Sequence, residues 1–143
     1  MPEASVSQHH TAIAERLIDK RNIVGSPAVS PDGTHTAFVV ATTDLENNTT
    51  ISRVWFDDAP VTAGPKDGGP TWSPDGRFLA FTSSRSEKDG EATLHIMPVD
   101  GPGEVRTVCS MPDGLGDVSW SPDGTWIGFT SRTQDERYTK KDE

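Results

Sequence analysis

An all-β protein built from repeated four-stranded antiparallel sheets is what this sequence predicts, on three observations. The tetrapeptide Ser-Pro-Asp-Gly stands at 30–33, 73–76 and 121–124, with serine-to-serine spacings of 43 and 48 residues. Five residues after each glycine comes a phenylalanine (Phe38, Phe81, Phe129), preceded by a small residue (Ala37, Ala80, Gly128). Asp-Gly, a dipeptide of tight turns, occurs seven times. About four short strands in a period of roughly 40–50 residues is the signature of a β-propeller blade, so the predicted fold is a partial β-propeller with a short N-terminal helix.

The helix is expected over Thr11–Lys20, where Ile13, Ala14, Leu17 and Ile18 share one face, and Gly25 and Pro27 are expected to end it. Residues 1–24 then form an N-terminal docking segment, and 25–143 an incomplete propeller with repeats starting near Ser30, Ser73 and Ser121. Each Ser-Pro-Asp-Gly is read as a hairpin connection: Pro presets φ, Asp tolerates the bridge region, and Gly takes positive φ without a Cβ penalty. The segments after the second and third turns, Arg77–Thr82 and Thr125–Thr130, are apolar on both faces, as in strands sandwiched between sheets. Third strands are expected at Ile51–Phe56 and Thr93–Val99, and short fourth ones at Val61–Ala63 and Val105–Cys109. A propeller needs about four to eight blades to close, so three repeats are expected to be only part of a ring.

Composition narrows the function classes. With 22 acidic against 13 basic side chains and a formal net charge of −9, nucleic acid and anionic membrane surfaces would be repelled, so neither is an expected partner. Gly and Pro, 13 and 11 residues, stay below the roughly 25–30% of disordered chains. The single Cys109 excludes an intrachain disulfide framework. Met1–His10 does not read as a signal peptide, and a cytoplasmic location is expected.

At the residue level, Trp72 and Trp120, each before the serine of its turn, are expected to pack between blades, where the first repeat has Val29. Arg85 and Arg132 recur after the second strand and are expected to make an ion pair or carbonyl contact between blades. His9-His10, His35 and His95 lack partners at ligand spacing, and Asp57-Asp58, Asp113 and Asp117 lack the calcium-loop pattern, so no metal site is expected. Glu87, Glu91 and Glu104 read as solvated loop charges rather than receptors for a peptide amino terminus. Cys109 reads as a small buried apolar residue. No Gly-x-Ser-x-Gly elbow occurs, so no catalytic, cofactor-binding or metal-binding residue is assigned, and no cofactor.

Several stretches carry a family resemblance. Trp72-Ser73-Pro74-Asp75-Gly76, followed by Leu79-Ala80-Phe81-Thr82-Ser83-Ser84-Arg85 and by a strand ending Val99-Asp100-Gly101, resembles the blades of TolB-like and dipeptidyl-peptidase-type propellers. Asn22–Gly33, Asp44-Leu45-Glu46-Asn47 before Arg53-Val54-Trp55, and Thr133–Tyr138 are similar to the acylaminoacyl-peptidase-like branch of the prolyl oligopeptidase family of serine peptidases. The likeness spans about residues 11–143. It implies a propeller that gates peptide substrates to a Ser-Asp-His site shared with a C-terminal α/β-hydrolase domain, whose residues would lie after Glu143. The rival reading is a non-enzymatic TolB-like scaffold that binds other proteins. A third is a small protein that closes its ring by self-association.

Overall fold

The structure, a computed structural model, describes residues 20–84 and 90–132. The expected helix over Thr11–Lys20 falls outside these residues except at Lys20, which already belongs to a strand.

Among the described residues three antiparallel sheets follow one another along the chain. The first holds β1 (Lys20–Val29), β2 (Thr36–Asp44), β3 (Thr49–Phe56) and β4 (Ala59–Pro60) in sequence order. The second holds β5 (Asp67–Trp72), β6 (Phe78–Ser83), β7 (Ala92–Pro98) and β8 (Arg106–Met111), again in sequence order. The third pairs β9 (Leu115–Trp120) with β10 (Ile127–Ser131). The four-stranded, all-antiparallel plan expected from the repeat is therefore present twice, with the first half of a third copy.

Each sheet meets the next through the next sheet's first strand: β5 lies against β1, β2 and β3, and β9 against β5, β6 and β7. Between the first two sheets Ala37, Val54, Trp72, Leu79 and Phe81 form a buried cluster, with Ala28, Phe56, Val61, Met97 and Val99 packed around it. Removal of this apolar surface from water is the main force holding the sheets together.

The sequence expectations need four corrections. Gly25 and Pro27 do not end a helix; they sit inside β1, where the register against β2 shifts between Gly25 and Ala28. β5 and β9 were not anticipated, because Asp67-Gly68-Gly69-Pro70 and Leu115-Gly116-Asp117 carry loop chemistry; packing against the preceding sheet holds them extended. The fourth strand of the first sheet is Ala59–Pro60, not 61–63: Val61 instead donates its N–H to the Val54 carbonyl at 2.9 Å, and the Thr62 hydroxyl accepts the Val54 N–H at 3.0 Å. Finally, β6 is an interior strand, with Leu79, Ala80 and Phe81 buried, whereas β10 is largely exposed and Trp126 before it is 76% exposed. β6 has sheets on both sides; among the described residues β10 has one.

The irregularities are themselves periodic. In β1, β5 and β9 the register shifts by one extra residue, and Ser26 (φ 50°), Gly69 (φ 60°) and Asp117 (φ 49°) sit at those shifts. Each lies four positions before the serine of its turn. A bulge bends the strand and adds local twist.

Candidate functional site

The three turns share one hydrogen-bond pattern. The Ser30, Ser73 and Ser121 hydroxyls each donate to the turn aspartate, Asp32, Asp75 and Asp123, at 2.6 Å. The same hydroxyls each accept a backbone N–H at 3.0 Å, from His35, Phe78 and Trp126. Gly33, Gly76 and Gly124 donate to the serine carbonyls at 2.9 Å and stand at φ 73°, 71° and 73°, as the turn chemistry predicts. The Ser30 hydroxyl and the Thr34 N–H hold the Asp32 carboxyl down at about 2, and the Ser121 and Thr125 hydroxyls do the same for Asp123. Asp75 is lowered by the Ser73 hydroxyl and the Arg77 N–H.

The turns also stack. A Cβ at Gly76 would stand 3.5 Å from Pro31, and one at Gly124 3.7 Å from Pro74, so each glycine faces the proline of the preceding turn. Beside this contact the Trp72 indole donates to the Ala28 carbonyl at 2.9 Å, and the Trp120 indole to the Thr71 carbonyl at 3.2 Å. Both tryptophans therefore bridge sheets as expected, and each also makes a directed hydrogen bond to the bulged strand of the preceding sheet.

At the junction of the first two turns lies a cavity of about 310 Å³, lined among others by Ser30, Asp32, His35, Phe56, Asp75 and Arg77. It brings a serine, a histidine and carboxylates to one place. The His35 Nδ1 lies 2.7 Å from Asp57, and the ring packs on Phe56 at 4.9 Å. Asp57, at φ 51°, also accepts the Thr36 N–H at 2.9 Å; that bond first, and His35 second, lowers its pKa. Yet Ser30 is buried with its hydroxyl proton committed to Asp32. Ser73 and Ser121 make the same bonds where Phe78 and Trp126 take the place of His35. A serine whose geometry is unchanged when the histidine becomes Phe or Trp serves the turn, and the Ser-His-Asp proximity is structural.

The remaining candidates separate. His95 stacks on Phe81 at 5.2 Å, with Thr107 at 3.2 Å from its Nδ1. Asp117 accepts the Thr130 hydroxyl at 3.0 Å, closing the third bulge. Arg85 and Glu87 lie outside the described residues, as do His9 and His10, while Arg132, the last described residue, is exposed. Cys109 is half-buried rather than buried, and desolvation raises its pKa, which keeps it a thiol. No cluster of three or more metal-ligating side chains occurs among the described residues.

One buried polar group escaped the sequence reading. Asp67 at the start of β5 accepts the Gly64 N–H at 2.8 Å and the Ser83 hydroxyl at 2.7 Å, so it ties the loop between the sheets to β6. Its Asp-Gly context resembled a turn; the only other signal was Ser83 at the end of a strand.

No protein-family model matches the chain. It is 39% identical over 100 residues to a protein of Bacillus subtilis (strain 168) described as the uncharacterized peptidase YuxL, an alignment covering 64% of this chain and 15% of that protein. Among solved structures it resembles the Pyrococcus horikoshii acylaminoacyl peptidase, with a TM-score of 0.63 and 19% identity over 86% of this chain and 20% of the other. The chain thus spans about a fifth or less of either protein. The first likeness is homology to a peptidase, and the second shows a shared fold of antiparallel β-sheets.

Proposed function

We propose that these residues are the N-terminal part of a β-propeller in a serine peptidase of the prolyl oligopeptidase family, of the acylaminoacyl-peptidase type. Its role in that reading is structural: the sheets form the wall that gates peptide substrates to a C-terminal α/β-hydrolase domain. The observation that carries it is the agreement of two independent features, the 39% identity to a peptidase and the sheet-on-sheet stacking repeated through Trp72 and Trp120. The turn serines are committed to their aspartates, which supports a wall rather than a reaction centre.

The test has two halves. Purified residues 1–143 should not hydrolyse acyl-aminoacyl or aminoacyl chromogenic substrates or react with a fluorophosphonate probe. The reading frame that contains these residues should encode Gly-x-Ser-x-Gly, then Asp, then His, roughly 200 or more residues further on. Fluorophosphonate-sensitive turnover by the 143 residues would overturn the wall assignment. A reading frame with no hydrolase domain would replace the peptidase with a protein-binding propeller.

A further inference from the structure

One irregularity in the sheets does not follow the repeat. The register shifts in β1, β5 and β9 stand four positions before a turn serine, each in the first strand of its sheet. A further shift lies in β8, the last strand of the second sheet: Thr107 pairs with His95 and Cys109 with Leu94, which leaves Val108 as an extra residue. Val108 lacks the positive φ of Ser26, Gly69 and Asp117, and it is 48% exposed, so burial in the core does not account for it. What β8 does have is an edge. Among the described residues it pairs with β7 alone, it is six residues long, and it holds no proline and a single charge, Arg106. Such a run is a template for pairing with another chain. The first sheet protects its corresponding edge in another way. There β4 is only Ala59–Pro60, and the N–H of Val61 to the Val54 carbonyl at 2.9 Å and of Ser52 to the Pro65 carbonyl at 2.7 Å draw the following loop over β3.

We infer that the Val108 bulge guards the edge of the second sheet: it interrupts the outward backbone row of β8, so that the β8 of a second copy cannot pair with it, and a chain without Val108 takes that strand antiparallel about a two-fold axis. The occupant is a second copy because the edge is neutral apart from Arg106, so it selects no charged partner, and a strand that pairs with itself about a two-fold axis needs no second sequence. The pairs on either side of the bulge show that the sheet does not depend on it. The Thr107 hydroxyl lies 3.2 Å from His95 Nδ1 on one side, and the Ser110 and Thr93 hydroxyls are 3.0 Å apart on the other. With Val108 deleted, Thr107 and Cys109 become neighbours, as their partners His95 and Leu94 already are. β8 would then run against Ala92–Ile96 in one unbroken register, with its remaining side chains on their present faces. The inference concerns a sheet edge and is independent of the peptidase reading.

Deletion of Val108 from the full 143-residue chain should keep the circular dichroism of the unaltered chain and tighten self-association roughly tenfold or more, read by sedimentation velocity over a concentration series. Salt at about 0.15 M screens the net charge of −9 that both chains carry. Ser110→Lys added to the deletion places like charges on the two paired edges and should return association to that of the unaltered chain. Hydrogen exchange gives a second reading that does not need the deletion. In the unaltered chain the β8 amides that do not bond to β7 should exchange at a rate independent of concentration, and in the deletion chain they should become protected as concentration rises. The inference is overturned if the deletion chain folds without tighter association, if Ser110→Lys fails to reverse the gain, or if the unaltered chain itself protects those amides at high concentration. Loss of the native circular dichroism on deletion would show that β8 needs Val108 in order to fold, and would overturn it too.

Discussion

The indole N–H of Trp72 reaches across from the second sheet to the carbonyl of Ala28 in the first at 2.9 Å, 44 positions away in sequence. Trp72 is only 9% exposed and its ring packs 5.6 Å from Phe56, so the same side chain fills the interface and fixes its register. Trp120 repeats the bond to Thr71 at 3.2 Å, from a half-exposed position.

Trp72→Phe should therefore destabilise the chain by about 1–3 kcal/mol, the range for leaving a partly buried acceptor without its donor. Trp120→Phe should cost clearly less, because water reaches that site. Urea unfolding of both variants checks the order. Equal losses would show that the hydrogen bond to Ala28 has no special weight.

Gly76 combines positive φ with a neighbour, whereas Gly33 has positive φ and open space. Gly76→Val should lose on the order of 1 kcal/mol or more from backbone strain, with an added loss from crowding Pro31. Gly33→Val carries the strain alone and should lose less. If the two lose the same amount in denaturant titrations, the turns do not stack in solution.

The turn aspartates make stability depend on acid pH. Asp32 and Asp123 are held at about 2 in the folded chain against an ordinary value of 3.8. A lowered folded-state pKa contributes stability that is fully present above the unfolded value and is lost as pH falls through the folded one. Stability should thus fall between about pH 4 and pH 2, and Asp32→Asn with Asp123→Asn should flatten that part of the profile. An unchanged slope in the double variant would refute the contribution of these two carboxylates.

His35→Phe tests whether the His35–Asp57 pair has any role beyond the surface. Phe already occupies the equivalent position in the second repeat, at Phe78, and the pair is exposed on both sides. The variant should keep the urea midpoint of the unaltered chain, as expected for an exposed ion pair. A substantial drop would show that the hairpin clamp through Asp57 and the Thr36 N–H depends on the imidazole.

Much of the fold was legible in the residues because turn chemistry is local. Ser, Pro, Asp and Gly carry their own φ preferences and hydrogen bonds, so three copies at spacings of 43 and 48 located the hairpins, and the apolar runs after them located β6 and β10. The tryptophans before the turns were legible as bridges between sheets for the same reason: large apolar side chains at an equivalent repeat position must be covered. The start of each sheet was not legible. β1, β5 and β9 contain Gly25-Ser26-Pro27, Gly68-Gly69-Pro70 and Gly116-Asp117, whose local preference is for loops, and only packing against a neighbouring sheet keeps them extended and bulged. The amino-acid sequence by itself determined where the chain reverses and which residues must leave water. Which carbonyl each indole meets, which proline each glycine faces, and that His35 turns to Asp57 were decided by the tertiary structure, because those pairings join residues that only the stacking of sheets and hairpins brings together.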